Sequence, residues 1–508
     1  MRLESLVAAN LTLEQETAAF ERLKPRLAEL WARVFPNDDE PYTVVVVPSL
    51  TTEPGELARH AGALFLEETL LFFLIRLRNP RARVIYVTSQ PIPGAIMDYL
   101  LQFLAGIPAS HAAARLTLLS AHDATLRPLT EKILERPRLM RRIREAIRDP
   151  SRAYLTVFRS TPLERRLAVL LDIPLNAADP RMEALCTKSG ARRILREAGV
   201  ATPLGFEDIG TEDELLHALA ALRRERPGLR RALLKRNTGY MDAGHALLRF
   251  PAQGSREALR RALRKLAFSV PAERSDSYLL RFAETGGVVE EFIEGPALTT
   301  ASGQVRISPL GEVTLTSTHD ELRAGPAGLS AVGCLFPASE PYRLRIQEAS
   351  LGVGRALAAK GLVSRLSVEF LVWRHPADGE ARLAASEINL GFGGTTHPLL
   401  AVRFLAGGRL DPASGLFHSP SGRPKFYRAT DHLQSDAYRG LVPDDLIEIL
   451  TLNQLHYSHR TESGALFYML GAVSELGRLG MLAIGNSRKE AEAVFCRTVE
   501  ALDADVSR

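Results

Sequence analysis

The feature that most constrains the fold is a regular alternation of β-branched runs with amphipathic helical patterns in the first third of the chain. The strand-like runs are TVVVVPSL (43–50), ARVIYVTS (82–89), RLTLLSA (115–121) and AYLTVF (153–158). Such apolar runs are typical of strands buried on both faces of a parallel sheet. Their alternation with helices predicts an open α/β domain with helices on both faces of the sheet, and we assign it to residues 1–184.

The pattern changes in the middle of the chain. Residues 185–408 carry frequent strands with helices interspersed, which predicts an α+β domain with antiparallel pairs. Residues 409–508 are expected to form a mostly helical extension packed on that domain. Its helices are predicted at 442–456, 464–478 and 487–503.

Composition excludes several classes of protein. No run approaches the roughly 20 apolar residues of a membrane helix, and the first residues lack a signal-peptide core, so a cytoplasmic location is expected. The three cysteines are scattered, which excludes a cysteine-based metal cluster. A net charge of +5 on 508 residues argues against nucleic-acid binding. Only eight of the 64 basic residues are lysine, so each lysine is informative.

Two of these lysines lie in positions suited to phosphate binding. Lys188 stands at the start of a helix, where its charge and free backbone amides would both attract an anion. Lys235 ends the apolar strand ALLKR and would either reach solvent or meet an anion. Taken alone, each lysine is better explained as a solvated surface residue.

The segment VVEEFIEG (288–295) has the pattern of a strand that runs into a hinge. Backbone groups of Glu290 to Ile293 would be free to meet the edge of an adenine, with Phe292 and Ile293 packed on the ring. An exposed strand end explains Glu290 and Glu291 without any ligand.

A set of oxygen-bearing side chains is predicted to converge on a hairpin near residues 364–390. Glu387 and Asn389 are two apart on one strand and therefore share a face, while Glu369 lies on the neighbouring strand. Carboxylates combined with phosphate oxygens suit magnesium. Arg365 shares the face of Glu369 and would be able to reach a phosphate.

The succession Lys, Lys, Glu-Glu-Phe-Ile, Glu and Glu-x-Asn resembles the ATP-grasp signature. The chain is also similar, over most of its length, to the pheganomycin-type peptide ligases, which are ATP-grasp carboxylate–amine ligases. The stretches that carry this likeness are VVVVPSLTTEP (44–54), VIYVTSQPIPGAIMDYLL (84–101), TLLSAHDATLRPLTEKILERP (117–137), TPLERRLAVLLDIPLNAADP (161–180), STHDEL (317–322), GCLFPA (333–338), EINLGFGGTTHP (387–398) and YMLGAVSELGRLGMLAIG (468–485).

The resemblance implies a reaction and a set of roles. ATP would convert a substrate carboxylate to an acylphosphate, and the amine of an amino acid or peptide would displace phosphate to form an amide. Lys188, Lys235 and Arg365 would act on the phosphates, and Glu290 and Ile293 would contact adenine through their backbones. Magnesium would be held by Glu369, Glu387 and Asn389. Substrate contacts are expected from His319, Asp320, Thr395, Thr396 and His397, and a homodimer is possible.

Several positions depart from the family pattern. The loop after Lys235 has only Gly239 and Gly244 where the family has a glycine-rich phosphate cover, and Tyr240 and Met241 are bulky. Other departures are Ala297 in place of a ribose-binding glutamate, Glu369 in place of aspartate, Gly391 and Phe392 in place of a basic pair, Glu321 and Leu329 in place of amides, and Tyr468 in place of histidine. Two hypotheses follow: an active ligase with an altered substrate pocket, or a degenerate paralogue that acts as a non-catalytic binding or regulatory protein.

Overall fold

The structure is a computed structural model of the chain. It describes residues 11–52, 57, 62–239, 244–252, 254–268, 273–295, 297–324, 330–374 and 379–507. Tyr240, Met241 and Leu329, which figured among the departures above, lie outside the described residues. Within these residues, no helix is both long enough and apolar enough to cross a membrane.

The N-terminal sheet is parallel, as the alternating pattern predicts. Its strands lie in the order β3-β2-β1-β4 and are β1 (Thr43–Val47), β2 (Arg83–Thr88), β3 (Leu116–Ser120) and β4 (Ala153–Val157). Side chains alternate along β1, so Val44 and Val46 enter one hydrophobic core while Val45 and Val47 enter another on the opposite face. Burial on both faces explains the uninterrupted valine run.

Helices cover both faces of the N-terminal sheet. They are α1 (Leu13–Val34), the 3₁₀ helix Ala63–Arg78, α2 (Gly94–Leu101), α3 (Ala109–Ala113), α4 (Leu129–Leu134), α5 (Pro137–Ala146), the 3₁₀ turn Pro150–Arg152 and α6 (Pro162–Leu171). Helix α1 begins at a capping box in which Thr12 accepts from the Gln15 amide and the Gln15 side chain accepts from the Thr12 amide. The predicted α/β architecture is thus confirmed.

A small antiparallel sheet follows, in the strand order β5-β9-β6-β7-β8. Its strands are β5 (Gly205–Ile209), β6 (Arg231–Arg236), β7 (His245–Arg249), β8 (Ala267–Phe268) and β9 (Gly287–Glu291). The helices of this region are the 3₁₀ helix Pro180–Cys186, α7 (Lys188–Glu197), α8 (Glu212–Glu225), α9 (Arg256–Leu263) and α10 (Ser275–Thr285). Lys235 on the central strand β6 lies opposite His245 on β7 and Val288 on β9.

A large sheet occupies the rest of the molecule and begins in the middle region of the chain. Its first strands are β10 (Thr299–Ile307), β11 (Val313–Ala324), β12 (Ser330–Phe336), β13 (Ser364–Arg374) and β14 (Ala381–Leu390). Helices α11 (Glu340–Ala358) and α12 (Thr396–Ala406) belong to the same region. These strands pair antiparallel in the order β14-β13-β10-β11-β12, as an α+β domain requires.

The C-terminal region carries helices and also adds strands to this large sheet, which the sequence pattern did not predict. Its strands are β15 (Arg409–Asp411), β16 (Leu416–His418), β17 (Pro424–Gln434), β18 (Gly464–Tyr468) and β19 (Arg478–Gly485). Its helices are the 3₁₀ helix Asp436–Gly440, α13 (Pro443–Leu452), the 3₁₀ turn Leu470–Ala472, α14 (Val473–Leu476) and α15 (Arg488–Val506). Strand β17 pairs with β12, so the sheet continues across residue 408.

The helix predicted at 464–478 is wrong for a physical reason. Residues 464–468 form β18, which pairs with β19, and both strands are buried along almost their whole length. A continuous apolar run is compatible with either a buried strand or a buried helix, because periodicity alone cannot separate the two. The domain boundaries at 184 and 408 stay predictions.

Candidate active site

The β13–β14 hairpin brings the predicted magnesium ligands together. Glu369 lies directly opposite Glu387, and Asn389 lies opposite Ser367. The Asn389 side-chain amide donates a hydrogen bond to Glu369 Oε1 at 2.7 Å. The intervening residues Val368 and Ile388 point to the other face, into a hydrophobic core. Alternation along the strands is therefore what places the oxygen-bearing side chains on one face.

Both lysines singled out by the sequence reach Glu387. Lys188 Nζ lies 2.5 Å from Glu387 Oε2, and Lys235 Nζ lies 3.4 Å from Glu387 Oε1. Lys235 also pairs with Glu290 at 2.9 Å. Because Lys235 belongs to the small sheet and Glu387 to the large sheet, the Lys235–Glu387 pair joins the two sheets across the site.

The two carboxyl groups of the hairpin differ in acidity. Burial acts to raise the pKa of Glu387, but Lys188, His245 and Lys235 outweigh burial and hold that pKa well below its usual range. Burial and then the charges of Glu321 and Glu387 raise the pKa of Glu369 to about 8. The two facing carboxyl groups thus have pKa values shifted in opposite directions, because the cations of the site lie around Glu387.

The donor set fits magnesium. Glu369, Glu387 and Asn389 offer side-chain oxygens on one face, and Mg²⁺ in nucleotide sites takes one or two carboxylates together with phosphate oxygens. Repulsion from Glu321 and Glu387 contributes to the raised pKa of Glu369, and a bound cation relieves such repulsion. Among the described residues no group of three His, Cys, Asp or Glu side chains surrounds a common metal position, so any metal would need ligand oxygens as well.

The start of α7 differs from the expectation of free backbone amides. The Ser189 amide donates to Asn237 Oδ1 at 2.9 Å, and the Gly190 amide donates to the side chain of the N-cap residue Thr187 at 3.1 Å. These amides are already satisfied, so the argument from free amides is corrected. The contribution of Lys188 to anion binding rests on its ammonium group.

The hinge residues occupy the end of β9. The Glu290 side chain is buried between Lys235 and Arg192, whose Nη1 lies 2.6 Å from Glu290 Oε1. The amides of Glu291 and Phe292 donate to backbone carbonyls, and Arg231 stacks on the Phe292 ring at 4.3 Å. Within the described chain, the Ile293 amide makes no hydrogen bond. One backbone donor therefore remains available at the predicted adenine position.

A cavity of about 300 Å³ adjoins Lys188 and the oxygen-bearing side chains of the β13–β14 hairpin. It extends from Lys188, Glu369, Glu387 and Asn389 to the carboxyl end of β4. The described residues that line it further include Phe158, Arg159, Ser160, Asn176, Asn237, Glu321, Arg323, Arg365, Phe392, Thr395, Asp431 and Tyr468. None of the residues Glu290 to Ile293 belongs to the described lining. Ligands commonly bind at the carboxyl edge of an α/β sheet, which agrees with the place of this cavity.

The predicted substrate contacts divide into two groups. Thr395 lines the cavity, where Gln304 donates a hydrogen bond to its hydroxyl group. Thr396 accepts from the Gly393 amide at 3.1 Å, and the His397 ring packs against Tyr468 at 4.8 Å. Both are buried beside the cavity without being part of its described lining, because they begin the buried side of α12.

His319 and Asp320, which were expected to contact substrate, lie in the packing between strands and helices. His319 is fully buried against Tyr427, 2.6 Å from its hydroxyl, and burial lowers the His319 pKa to about 3. Asp320 accepts from Ser339 at 2.6 Å and Tyr342 at 2.7 Å. Neither residue belongs to the described lining of the cavity, since both side chains hold neighbouring strands and helices together.

The Gly391–Phe392 departure has a steric basis. Gly391 has a φ of +89°, and a Cβ placed there would lie 2.8 Å from the Phe158 carbonyl oxygen. No side chain, basic or otherwise, fits that position. Phe392 packs edge-on against Phe73 at 5.7 Å and under the guanidinium group of Arg365 at 5.7 Å. The turn after β14 is thus built to contact the N-terminal domain.

Sequence reasoning missed several polar residues of the site. His245 Nε2 lies 2.8 Å from Glu387 Oε1, and Arg323 lies 2.9 Å from Glu369 and 2.7 Å from Glu321. Arg192 neutralises Glu290, as described above. A signal existed for His245, because a hairpin between 231 and 249 places it opposite Lys235. Arg192 and Arg323 had no such signal, since they approach from other elements.

The chain is similar to known ATP-grasp proteins. A family model described as IQCH-like, ATP-grasp matches residues 180–253 and 255–413, and one described as PGM1 C-terminal domain matches 445–498. L-propargylglycine–L-glutamate ligase of Streptantibioticus cattleyicolor is 30% identical over 449 residues, which cover 86% of this chain and 88% of that protein. IQ motif-containing protein H of Danio rerio is 27% identical over 404 residues, covering 69% of this chain and 37% of that protein.

A solved structure shows the same fold. The biotin carboxylase from Campylobacter jejuni, crystallised as a β-γ-ATP complex, superposes with a TM-score of 0.54 at 13% identity. The match covers 92% of this chain and 95% of that one. Together with the family model and the 30% identity above, this likeness establishes that the chain belongs to the ATP-grasp family, as a divergent relative of the pheganomycin-type peptide ligases.

Proposed function

We propose that this protein is an ATP- and magnesium-dependent ligase that joins a carboxylate to the amine of an amino acid or peptide. The observation that carries the proposal is the convergence on Glu387. Lysines from two separate elements, Lys188 and Lys235, reach this one carboxylate, and Glu369 lies opposite it on the wall of a cavity. The similarity to an L-propargylglycine–L-glutamate ligase supports the choice of reaction class.

Each residue of the site has a role in this proposal. Glu369, Glu387 and Asn389 hold magnesium, which supplies positive charge beside the phosphates. Lys188 and Lys235 neutralise charge on the phosphoryl group, and the Ile293 amide binds adenine. The γ-phosphoryl group of ATP passes to an oxygen of the substrate carboxylate, and ADP leaves. The amine then attacks the acyl carbon, loses a proton and releases phosphate.

A second candidate function has one observation in its favour. The basic pair of the related ligases is replaced by Gly391 and Phe392, and the Phe392 ring is held in an aromatic cluster. This removes two positive charges from the turn after the metal ligand Asn389. The loss is compatible with a degenerate paralogue that binds nucleotide without catalysis and acts on a partner protein.

Two measurements separate these functions. Titration calorimetry with a non-hydrolysable ATP analogue and magnesium is expected to show binding that Glu387→Gln weakens at least tenfold and that the exposed control Glu257→Gln leaves unchanged. Magnesium-dependent ADP release across a panel of amino acids and dipeptides then identifies the ligase. Binding without ADP release favours the paralogue, and absence of both contradicts the proposal.

A further inference from the structure

Four arginines form a cluster behind Phe392, between the N-terminal sheet and the large sheet. Arg306 on β10 and Arg365 on β13 lie directly opposite each other. Arg76 lies in the last turn of the 3₁₀ helix Ala63–Arg78, and Arg403 lies on α12. Burial and the charges of Arg306, Arg403 and Arg76 lower the pKa of Arg365 well below its usual range. Arg306 is buried and the other three are partly buried, so like charges are concentrated in one region of the molecule.

No counter-charge accompanies this arginine cluster. Among the residues that the structure describes, no carboxylate oxygen lies within 4.0 Å of Arg76, Arg306, Arg365 or Arg403. Arginines elsewhere in the site are paired, as Arg192 is with Glu290 and Arg323 is with Glu369. Burial and the charge of Arg76 lower the pKa of Arg306 to about 10. The interaction with Tyr154 raises this pKa but does not outweigh them. Charges that are buried or partly buried are ordinarily paired, and no carboxylate of the described residues pairs with these four.

Several polar atoms in the arginine cluster have no hydrogen-bond partner. They are the Nε atoms of Arg76 and Arg306 and the hydroxyl group of Tyr154. Arg306 is 7% exposed and Tyr154 is 1% exposed. Tyr154 lies close enough to Arg76, Arg306 and Arg365 to influence the pKa of each. Unsatisfied buried donors are rare in native proteins, and a bound water or ion is one of the ways in which they are satisfied.

The arginine cluster is reached from the cavity. Arg365 lines the cavity, and so does Asn176, which accepts a hydrogen bond from Arg306. Arg365 is four residues from Glu369 along β13, a separation of about 13 Å at roughly 3.3 Å per residue. An anion in the cluster would therefore lie at the opposite end of the cavity from the carboxylates proposed to hold magnesium.

We propose that this arginine cluster binds a small oxyanion carrying two or more negative charges, either a dicarboxylate or a phosphate monoester. Guanidinium groups bind both through paired N–H donors, and the Tyr154 hydroxyl adds a further donor. Several unpaired cations call for more than one negative charge. If the proposed ligase function holds, the oxyanion is an acidic group of the substrate remote from the reacting carboxylate, and the cluster selects multiply charged substrates.

A purely structural role makes different predictions. Arg76, Arg306 and Arg365 each stack on an aromatic ring, at 4.9 Å from Phe35, 5.1 Å from Trp31 and 5.7 Å from Phe392. If stacking on aromatic rings is the only role of these arginines, Arg306→Met lowers the stability of the protein by the same amount in every buffer. If the cluster is an anion site, the variant loses its response to anions and suffers little or no destabilisation in their absence, because charge repulsion is relieved.

The test is thermal unfolding and calorimetry of the full chain without nucleotide or magnesium, at constant ionic strength. The wild type is expected to gain stability in inorganic phosphate or glutarate and not in chloride or acetate. Arg306→Met is expected to weaken binding at least tenfold, and Tyr154→Phe severalfold. The exposed control Arg138→Met should match the wild type. A response to phosphate alone identifies a phosphate ester as the ligand, and a response to glutarate alone identifies a dicarboxylate.

Two results would overturn the proposal: equal stabilisation by monovalent and multivalent anions, or an unchanged anion response in both Arg306→Met and Arg403→Met. Glu387→Gln separates this proposal from the ligase function. It should abolish the binding of the ATP analogue and magnesium while leaving the response to phosphate or glutarate intact. Loss of ligase activity therefore does not count against the anion site, and loss of the anion response does not count against the ligase.

Discussion

At the scale of single residues, the site depends on charges that are buried together. Lys235 is 2% exposed and lies between Glu290 and Glu387. Burial alone would lower the pKa of Lys235, but the two carboxylates more than compensate and raise it. The residue therefore stays charged in the folded protein, and its neighbours depend on that charge.

Replacing Lys235 with methionine should be strongly destabilising. The change removes one of the cations that pair with the buried Glu387. Removing one partner of a buried ion pair costs about 3–5 kcal/mol. Urea unfolding followed by circular dichroism measures the difference. Lys265→Met removes an exposed lysine as the control and should cost less than about 1 kcal/mol. Equal costs for the two variants would show that Lys235 is not coupled to the carboxylates.

A buried carboxyl group in the N-terminal domain should make stability depend on pH. Burial raises the pKa of Glu67 to about 7, although hydrogen bonds from Ser89 oppose the rise. A carboxyl whose pKa is higher in the folded state favours folding at low pH, and that contribution is lost as pH rises through 7.

The stability of Glu67→Gln relative to the wild type should therefore increase as the pH rises from 5 to 8. The expected relative gain is up to about 3 kcal/mol, from the shift between about 4.5 and about 7. Urea unfolding at a series of pH values measures it. Glu145→Gln, at an exposed position, should show no such trend. A pH-independent difference between Glu67→Gln and the wild type would contradict the assignment.

At the scale of elements, the turn that follows β14 connects the site to the N-terminal domain. The Gly391 amide donates to the Arg365 carbonyl at 2.9 Å, and the Phe392 amide donates to the Phe158 carbonyl at 3.3 Å. These bonds fix the turn against β13 and the end of β4. The departure from the family pattern at Gly391 and Phe392 is therefore a change in how two domains meet.

Gly391→Ala should destabilise the protein by about 1–3 kcal/mol. The added Cβ would meet the Phe158 carbonyl oxygen at 2.8 Å in a left-handed backbone conformation that alanine adopts only with strain. Gly393→Ala is a matched control in the same turn, because no atom lies within 4 Å of its Cβ position and its φ is ordinary. Chemical denaturation compares the two variants, and equal stability would contradict the close approach.

At the scale of the whole molecule, the N-terminal and C-terminal regions share a core. Phe72 packs against Phe404 and Tyr468, with ring centroids 6.3 Å and 6.2 Å apart. The Phe467 amide donates to the Tyr99 hydroxyl at 3.2 Å, and the Gly471 amide donates to Glu68 at 3.3 Å. One hydrophobic cluster runs from Leu27 to Leu502.

A chain that ends at Gly408 should fail to fold cooperatively. The truncation removes β15 to β19, leaves the Phe72 side of the core exposed and uncovers the edge of β12. In urea, the first and last regions of the full chain should lose their structure in a single transition. Hydrogen exchange at the Phe467 amide can report this loss. A sharp unfolding transition in the truncated chain would show that the C-terminal region is independent.

Much of the local structure and part of the site followed from sequence. The parallel N-terminal sheet was predictable because strands buried on both faces leave long β-branched runs, and the pairing of Glu369 with Glu387 followed from alternation on a hairpin. The strand β18 was not predictable in the same way. Its apolar run is buried on every side, and such a run carries no period that separates a strand from a helix.

What the sequence by itself determined is many of the elements and the order of the signature residues, because both depend on neighbours within one strand, helix or hairpin. Only the tertiary structure decided that His319 and Asp320 lie outside the described cavity lining, that Arg192 and Arg323 join the site, and that unpaired arginines from distant parts of the chain meet behind Phe392. Contacts between side chains far apart in sequence depend on how whole sheets pack, and no local pattern of residues encodes that packing.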